Sequence, residues 1–187
     1  MLTDLGYFKL SVFQQITAKG AYFLSKLLIG TTLLNADTSE KIDLRATLRS
    51  FVGNTLEMNV IMGNDKHPVP CRLIGFRATK QIADTRRRKL RKEAKKKGRT
   101  PSKNHLALCD WTLFVTNAPS EMLPVTIVFS LYRLRWQIEL IFKQLKSVLR
   151  IHSSHTAKEC RLKCEILGKL IMAVIVHGIH SSLNAIM

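Results

Sequence analysis

Acidic residues are scarce in this chain of 187 residues. It contains 13 Asp and Glu against 30 Lys and Arg, so its formal net charge is +17 at neutral pH. A protein with so large a positive excess attracts polyanions over long distances. The composition therefore favours a polyanionic partner, with nucleic acid ahead of a membrane surface.

Long apolar stretches and regularly spaced cysteines are also absent. The longest continuous apolar run, residues 170–176, is far shorter than the about 20 residues of a membrane-spanning helix, so no membrane partner is expected. No opening stretch combines a basic flank, an apolar core and a small-residue cleavage site, which argues against secretion. The four Cys form no regular pairs, as is typical of a reducing compartment. We therefore expect a soluble, cytoplasmic protein.

The strongest pattern lies in residues 132–146, YRLRWQIELIFKQLK. This stretch has neither Pro nor Gly and is rich in good helix formers, which predicts a helix. At about 100° per residue, four polar side chains share one narrow sector. They are Tyr132, Arg135, Glu139 and Lys146. Apolar side chains gather on another face, which we expect to contact the core while the polar row points away from it. They are Leu134, Ile138, Ile141, Leu145 and Val148.

The polar row has two interpretations. It can be a solvated face with an ordinary Arg-to-Glu pair four residues apart. It can also be a binding surface, because a carboxylate that holds a divalent metal beside phosphates needs cations nearby to bind those phosphates. Helical geometry leaves both interpretations open.

Two blocks of sequence resemble a known family. The spacing of Tyr132, Arg135, Glu139 and Lys146 resembles the Y-R-E-K signature of bacterial insertion-sequence transposases of the DDE type. Near the start of the chain, an Asp is followed by a Gly, an aromatic pair, a predicted helix and an AYFL strand, which is similar to the block around the second catalytic Asp of that family. Asp4 stands in that position, although an Asp before a Gly can also simply cap a turn.

The resemblance implies an α/β fold: a partial ribonuclease-H-like fold, interrupted by an antiparallel β insertion and followed by two carboxyl-terminal helices. It implies that Asp4 and Glu139 are catalytic and bind divalent Mg²⁺ or Mn²⁺, two ions in the intact enzyme. The first catalytic Asp of the family has no counterpart, because no Asp precedes Asp4. We therefore expect a truncated transposase that is inactive by itself.

The resemblance also implies a partner and a location. The partner is DNA, both insertion-sequence ends and target, bound by a homodimer in the bacterial cytoplasm at the nucleoid. Tyr132, Arg135 and Lys146 are implied to contact phosphates of the transposon end. Trp111 is implied to stack on a base flipped out near the cleavage site. For a Trp in a strand, packing in the core is the commoner role and stays open.

A second DNA-binding candidate comes from composition. Residues 86–99, RRRKLRKEAKKKGR, contain ten basic residues and one Glu, a run typical of a solvated, mobile or transiently helical segment. Cations that neutralise phosphates release counterions, which gives salt-sensitive affinity without sequence preference. The candidate DNA-binding residues of this run are Arg86, Arg87, Arg88, Lys89, Arg91, Lys92, Lys95, Lys96, Lys97 and Arg99.

Hydrophobic patterns predict the remaining elements. The predicted strands are residues 21–28, 44–49, 56–60, 69–76 and 106–117. The other predicted helices are residues 11–19 and 158–183, and the last of these is expected to pack on the helix of residues 132–146.

These elements suggest three parts. Residues 1–30 would belong to the catalytic core, residues 31–118 would form the β-rich insertion with its basic segment 84–104, and residues 119–187 would complete the core with helices. Two other functions stay open. One is a non-catalytic DNA-binding or inhibitor fragment of the same ancestry, and the other is an unrelated basic nucleic-acid-binding protein, which the charge run alone supports.

Overall fold

The computed structural model describes residues 1–64, 67–147, 150, 153 and 158–186. The strands are β1 (Leu2–Thr3), β2 (Leu24–Lys26), β3 (Leu33–Asn35), β4 (Thr55–Met62), β5 (Val69–Arg77) and β6 (Trp111–Thr116). The helices are α1 (Leu10–Ala18), α2 (Leu44–Ser50), α3 (Lys80–Lys96), α4 (Lys103–Leu108), α5 (Val125–Ser147) and α6 (Glu159–Ile186). Within the described ranges, no helix has the length and apolar character needed to cross a bilayer.

The chain divides into two compact units, Met1–Tyr132 and Arg133–Met187. The first unit contains one six-stranded sheet in the order β1-β2-β6-β5-β4-β3. Strands β1 and β2 are parallel, and every other neighbouring pair is antiparallel. A parallel pair needs a crossover connection, and α1 provides it between β1 and β2. The sheet is therefore mixed, with its parallel pair at one edge.

Apolar side chains cover both faces of this sheet. Successive residues of a strand point to opposite faces, and the neighbours Leu73 and Ile74 of β5 belong to two different core clusters. On one face, Phe13 of α1 is fully buried against Phe23. On the other face, Val128 of α5 is fully buried. Each such side chain stabilises the fold by about 1.5–3 kcal/mol, so both helices are held by burial.

A buried arginine joins the sheet to the segment before α5. Arg72 of β5 is 8% exposed, and its guanidinium donates to the carbonyl oxygens of Ala118 at 2.8 Å and Leu123 at 3.2 Å. Its Nη2 also lies 2.5 Å from Oε1 of Glu57 on β4. The planar fork of Arg can satisfy these acceptors together, so Arg72 fixes the approach to α5.

Most of the predicted elements are confirmed. The helix of residues 132–146 lies within α5, which begins earlier, and the helices of residues 11–19 and 158–183 correspond to α1 and α6. The strands of residues 56–60 and 69–76 lie within β4 and β5, and the strand of residues 21–28 is present as the shorter β2. The three-part division at residues 30 and 118 stays a prediction.

The prediction of a strand at residues 44–49 is wrong, because this segment is helix α2. Asp43 caps the helix, and its carboxylate accepts from the backbone N–H groups of Arg45 at 3.0 Å and Ala46 at 3.2 Å. A capping Asp satisfies donors that the first turn leaves without partners, which favours the helix over a strand. Only Leu48 of α2 is buried, so alternation was a misleading guide here.

The predicted strand of residues 106–117 is correct only in its second half. Its first residues belong to α4, where the Ser102 hydroxyl accepts from His105 N–H at 3.2 Å as an N-cap. The strand β6 begins at Trp111. The capping Ser was visible in the sequence, and it outweighs the β propensity of the residues that follow.

The basic run is a regular helix in the structure. Residues 86–96 lie in α3, which Thr79 caps and in which Ala83 is buried. The helix is followed by Gly98, whose φ of +62° is the left-handed conformation that commonly ends helices. The basic residues are therefore arranged at helical spacing.

Candidate functional site

Asp4 lies directly after β1, at the carboxyl end of the parallel pair. Its Oδ1 accepts from the N–H of Leu5 at 2.7 Å, and its carbonyl accepts from the N–H of Tyr7 at 3.0 Å. Asp4 therefore caps a short 3-10 turn, as one interpretation proposed. It also stands at the strand end, where sheets of the α/β class place ligands.

Tyr132 ties α5 to the strand that carries Asp4. Its hydroxyl donates to the carbonyl oxygen of Thr3 at 3.2 Å, and its ring centroid lies 5.0 Å from that of Phe114. Tyr132 is 4% exposed, so the expectation that the whole polar row points away from the core is wrong at this residue. A buried Tyr has an apolar ring for the core and a hydroxyl that needs a partner, and both needs are met here.

Lys26 occupies the register position beside Asp4, and no sequence motif selects it. In the register of β1 and β2, Thr3 pairs with Ser25, and Asp4 and Lys26 are the residues that follow. The Lys26 Nζ lies 5.4 Å from the centroid of the Tyr132 ring. Lys26 also lines a groove of about 440 Å³ together with Leu5. Only the parallel register of β1 and β2 could have identified Lys26, and no sequence motif predicts that register.

Arg135 and Glu139 form an ion pair in the second unit. Arg135 Nη1 lies 2.5 Å from Glu139 Oε1, and the two side chains are 16% and 50% exposed. The four-residue pair that the sequence suggested is therefore confirmed. Glu139 and Lys146 also line one shallow depression, to which Lys143 contributes a second cation. Lys143 is four residues after Glu139, a spacing that could have signalled it.

The predicted core-facing side of this helix is not buried as a whole. Leu134 is 47% exposed and Ile141 is 51% exposed, which contradicts the expectation for these two residues. The buried residues of α5 lie nearer its start, at Val128 and Tyr132. Val148 lies outside the described residues.

The two candidate catalytic carboxylates lie in different units, Asp4 in the first and Glu139 in the second. Carboxylate oxygens are the ligands that Mg²⁺ and Mn²⁺ prefer, so each residue fits as an individual ligand. In the part of the chain that the structure describes, no three His, Cys, Asp or Glu side chains cluster as metal ligands. A two-ion site at these carboxylates stays a prediction.

Trp111 is a core residue in this structure. It is 6% exposed, the Arg77 guanidinium lies 4.8 Å from its ring centroid, and the Phe51 ring lies 5.9 Å away. Arg77 is held in place by the carbonyl oxygens of Gly53 at 2.9 Å and Phe51 at 2.6 Å. The packing interpretation is confirmed. Stacking on a flipped base stays a prediction that requires the covering side chains to move.

The cations of the basic run differ in their surroundings. Arg86 and Arg87 are half-buried and bonded to neighbouring residues, whereas the other eight cations are exposed. Desolvation lowers the pKa of the Arg87 guanidinium, but hydrogen bonds and charge attraction to Asp110 and Asp84 outweigh it and raise the pKa. Composition treats all ten cations alike, whereas the structure shows that they differ in burial and in bonding.

Comparisons with known proteins identify the family of the chain. A family model described as "Transposase DDE domain" matches residues 1–175. The chain is 31% identical to the transposase for insertion sequence element IS231F of Bacillus thuringiensis subsp. israelensis, over 91% of this chain and 39% of that protein. It is 30% identical to the transposase for insertion sequence element IS1151 of Clostridium perfringens over the same shares.

A more distant similarity covers less of the chain. The putative transposase InsL for insertion sequence element IS186A of Escherichia coli (strain K12) is 30% identical over 74% of this chain and 39% of that protein. The chain thus spans about two fifths of the length of the curated relatives it matches. No solved structure matches it at a significant level.

Proposed function

Because the chain belongs to the family defined by the transposase DDE domain, we propose that it acts as a DNA transposase, or as part of one. The reaction would be cleavage and strand transfer at insertion-sequence ends. The observation that carries this proposal is the hydrogen bond from Tyr132 to the carbonyl of Thr3, across 129 residues of sequence. It places Tyr132, the first residue of the Y-R-E-K block, against the strand that precedes Asp4, within the first unit.

We assign the carboxylates to metal binding. Asp4 and Glu139 would each offer oxygen ligands to Mg²⁺ or Mn²⁺. When bound, two such ions activate a water or a 3′-hydroxyl and stabilise the leaving oxygen of a phosphodiester. Arg135, at 2.5 Å from Glu139, would orient that carboxylate. Lys143 and Lys146, beside Glu139 in the same depression, would bind phosphate oxygens of the DNA.

A ribonuclease-H-like core is the fold we propose for this chemistry. Its support is the parallel unit of β1, α1 and β2, with Asp4 at the carboxyl end of its first strand. β1 is a terminal strand of the described sheet and pairs on one side only. Further strands of the intact core would pair with its other side, which would place Asp4 within the sheet rather than at its rim.

The proposed enzyme requires another carboxylate. Among the described residues no third carboxylate clusters with either Asp4 or Glu139, and the chain spans 39% of the IS231F protein. Two carboxylates leave one ion short of anionic ligands, and Mg²⁺ keeps its waters unless its site is nearly octahedral. We therefore expect no nicking or strand transfer from residues 1–187 alone on a duplex that ends in the relative's terminal repeats.

The test joins this chain to the amino-terminal part of a relative. A fused chain that carries the amino-terminal part of the IS231F transposase ahead of residue 1 should cleave such duplexes with Mg²⁺ or Mn²⁺, and Glu139→Ala should abolish cleavage. The matched control is Glu159→Ala, since Glu159 is an exposed Glu that pairs with Lys163. Metal-dependent cleavage by the 187 residues alone would contradict the need for a third carboxylate. An active fused chain that tolerates Glu139→Ala would contradict the site.

A second candidate function is a non-catalytic DNA-binding or inhibitory role. The observation that favours it is the net charge of +17 combined with the lack, among the described residues, of three clustered metal-ligating side chains. Such a protein would join full-length subunits, which we propose act as a homodimer on DNA. Loss of cleavage when this chain is mixed with an active relative, without loss of DNA binding by that relative, would support this role.

A further inference from the structure

We propose that α3 has two sides with separate tasks: Arg86 and Arg87 anchor it to the sheet, and four exposed cations on its opposite side bind the phosphate backbone of duplex DNA. We call these four the outer row. The outer row consists of Arg88, Lys92, Lys95 and Lys96. This inference rests on the proposed function, because DNA is the partner that function requires.

Arg86 is bonded to the start of β6. Its Nη1 donates to the carbonyl oxygens of Cys109 at 3.3 Å and Trp111 at 3.0 Å, and its Nη2 donates to Thr112 Oγ1 at 2.8 Å. These bonds therefore use three of the five N–H donors of the Arg86 guanidinium. These bonds hold the Arg86 guanidinium against the sheet.

Arg87 is enclosed by two carboxylates. Its Nη1 lies 2.9 Å from Asp84 Oδ1, and its Nη2 lies 2.5 Å from Asp110 Oδ1. One positive charge faces two negative ones, so the local field around Arg87 repels a phosphate. Arg87 therefore stabilises the attachment of α3 and does not offer charge to DNA.

The same side of α3 carries its buried residues. Ala83 is 1% exposed, and Leu90 and Ala94 are half-buried. With Arg86 and Arg87 they repeat at helical spacing, so a single side of the helix faces the rest of the first unit. A bilayer-binding helix needs a free apolar side, and this side of α3 is already occupied.

The outer row lies opposite this side. At about 100° per residue, its four members fall within a sector of about 100° centred about half a turn away from Ala83 and Leu90. All four are exposed. Among the residues that the structure describes, no acidic side chain pairs with any of them. Lys89, at the margin of the sector, lies 4.0 Å from Glu93 and is therefore excluded.

The dimensions of the outer row suit a phosphate backbone. From Arg88 to Lys96 the helix rises about 12 Å at 1.5 Å per residue. One DNA strand carries one charge per about 3.4 Å of helix axis, so a row of this length lies along three to four phosphates. Contacts of this kind to phosphates position a protein on the duplex and carry no sequence information.

The experiment measures the salt dependence of binding to a duplex of random sequence. The outer-row variant combines Arg88→Gln, Lys92→Gln, Lys95→Gln and Lys96→Gln. The control variant changes four exposed cations elsewhere in the first unit: Lys9→Gln, Lys19→Gln, Lys41→Gln and Lys103→Gln. Both variants lose the same charge. The slope of log K against log salt should become shallower by about 3 to 4 in the outer-row variant and remain unchanged in the control variant.

Variants of Arg86 and Arg87 should give the opposite result. Arg86→Gln and Arg87→Gln should lower the melting temperature and leave the salt slope unchanged, whereas the outer-row variant should keep the parent's melting temperature. An unchanged slope in the outer-row variant of a DNA-binding parent would overturn the inference. A parent that binds no duplex DNA would instead contradict the proposed function. Tighter binding to an RNA duplex of equal length would overturn DNA as the partner of the outer row.

Discussion

At the scale of single residues, Arg72 is the buried charge on which the first unit most depends. Its guanidinium donates to the Glu57 carboxylate and to the carbonyl oxygens of Ala118 and Leu123 in the loop before α5. Removing one member of a buried pair leaves the others without compensation. Arg72 therefore links strand packing to the position at which α5 begins.

We predict that Arg72→Leu lowers the free energy of unfolding by about 3 kcal/mol, the lower end of the range for a broken buried pair, because the Glu57 side chain is 39% exposed. Urea denaturation followed by circular dichroism measures this. Arg49→Leu, at an exposed Arg in the last turn of α2, is the control and should change stability by less than about 0.5 kcal/mol. Equal losses in both variants would show that burial of Arg72 has no special effect.

At the scale of secondary-structure elements, the contact between α5 and β1 includes a hydrogen bond made by one hydroxyl. Tyr132 donates to the carbonyl of Thr3, and both residues are buried. Its ring packs on Phe114, so replacing Tyr with Phe removes the hydrogen bond and keeps the packing. The role of the hydroxyl can thus be separated from that of the ring.

We predict that Tyr132→Phe lowers the free energy of unfolding by about 0.5–1.5 kcal/mol. Tyr7→Phe is the control, because Tyr7 is 72% exposed. DNA affinity of the folded variant separates two roles for Tyr132. Weaker DNA binding at unchanged stability would support the phosphate contact that the resemblance implies and would contradict a structural role for the hydroxyl.

The sequence predicted an element well where a regular pattern of apolar residues extended over many positions. The helix α5 and the strands β4 and β5 are examples. The prediction failed at residues 44–49, where a short alternating pattern concealed a helix that Asp43 caps. Composition revealed the ten cations of the run and could not reveal which of them anchor α3, because Asp110 and Thr112 lie more than 20 residues away in sequence. Lys26 escaped notice for the same reason, since strand register is a tertiary property.

At the scale of the whole molecule, the dominant property is the charge of +17. Part of the positive charge is compensated internally, as at Arg72, Arg87 and Arg135, each of which pairs with a carboxylate. The outer row of α3 adds uncompensated charge on one surface. The long-range attraction of DNA should therefore be concentrated on this surface rather than spread evenly over the molecule.

We predict that the chain binds duplex DNA of any sequence, and that its affinity falls by about 10³ to 10⁵ between 50 and 200 mM salt if six to ten phosphates are contacted. Fluorescence anisotropy with two duplexes of unrelated sequence measures this. The control replaces the duplex with an uncharged fluorescent ligand of similar size, which should show no salt dependence. Affinity that differs strongly between the two duplexes, or that ignores salt, would contradict electrostatic binding.

The parallel pair at the sheet edge also has a consequence for biosynthesis. The Thr116 hydroxyl of β6 donates to the carbonyl of Phe23, 93 residues earlier in the chain. A ribosome adds roughly 5–20 residues per second, so on the order of 5–20 s pass between the synthesis of Phe23 and that of Thr116. During this time β1, α1 and β2 exist without β6. Phe13 and Phe23, which are fully buried in the end, are exposed during that interval. We expect these aromatic side chains to be available to chaperones until β6 leaves the ribosome and closes the sheet.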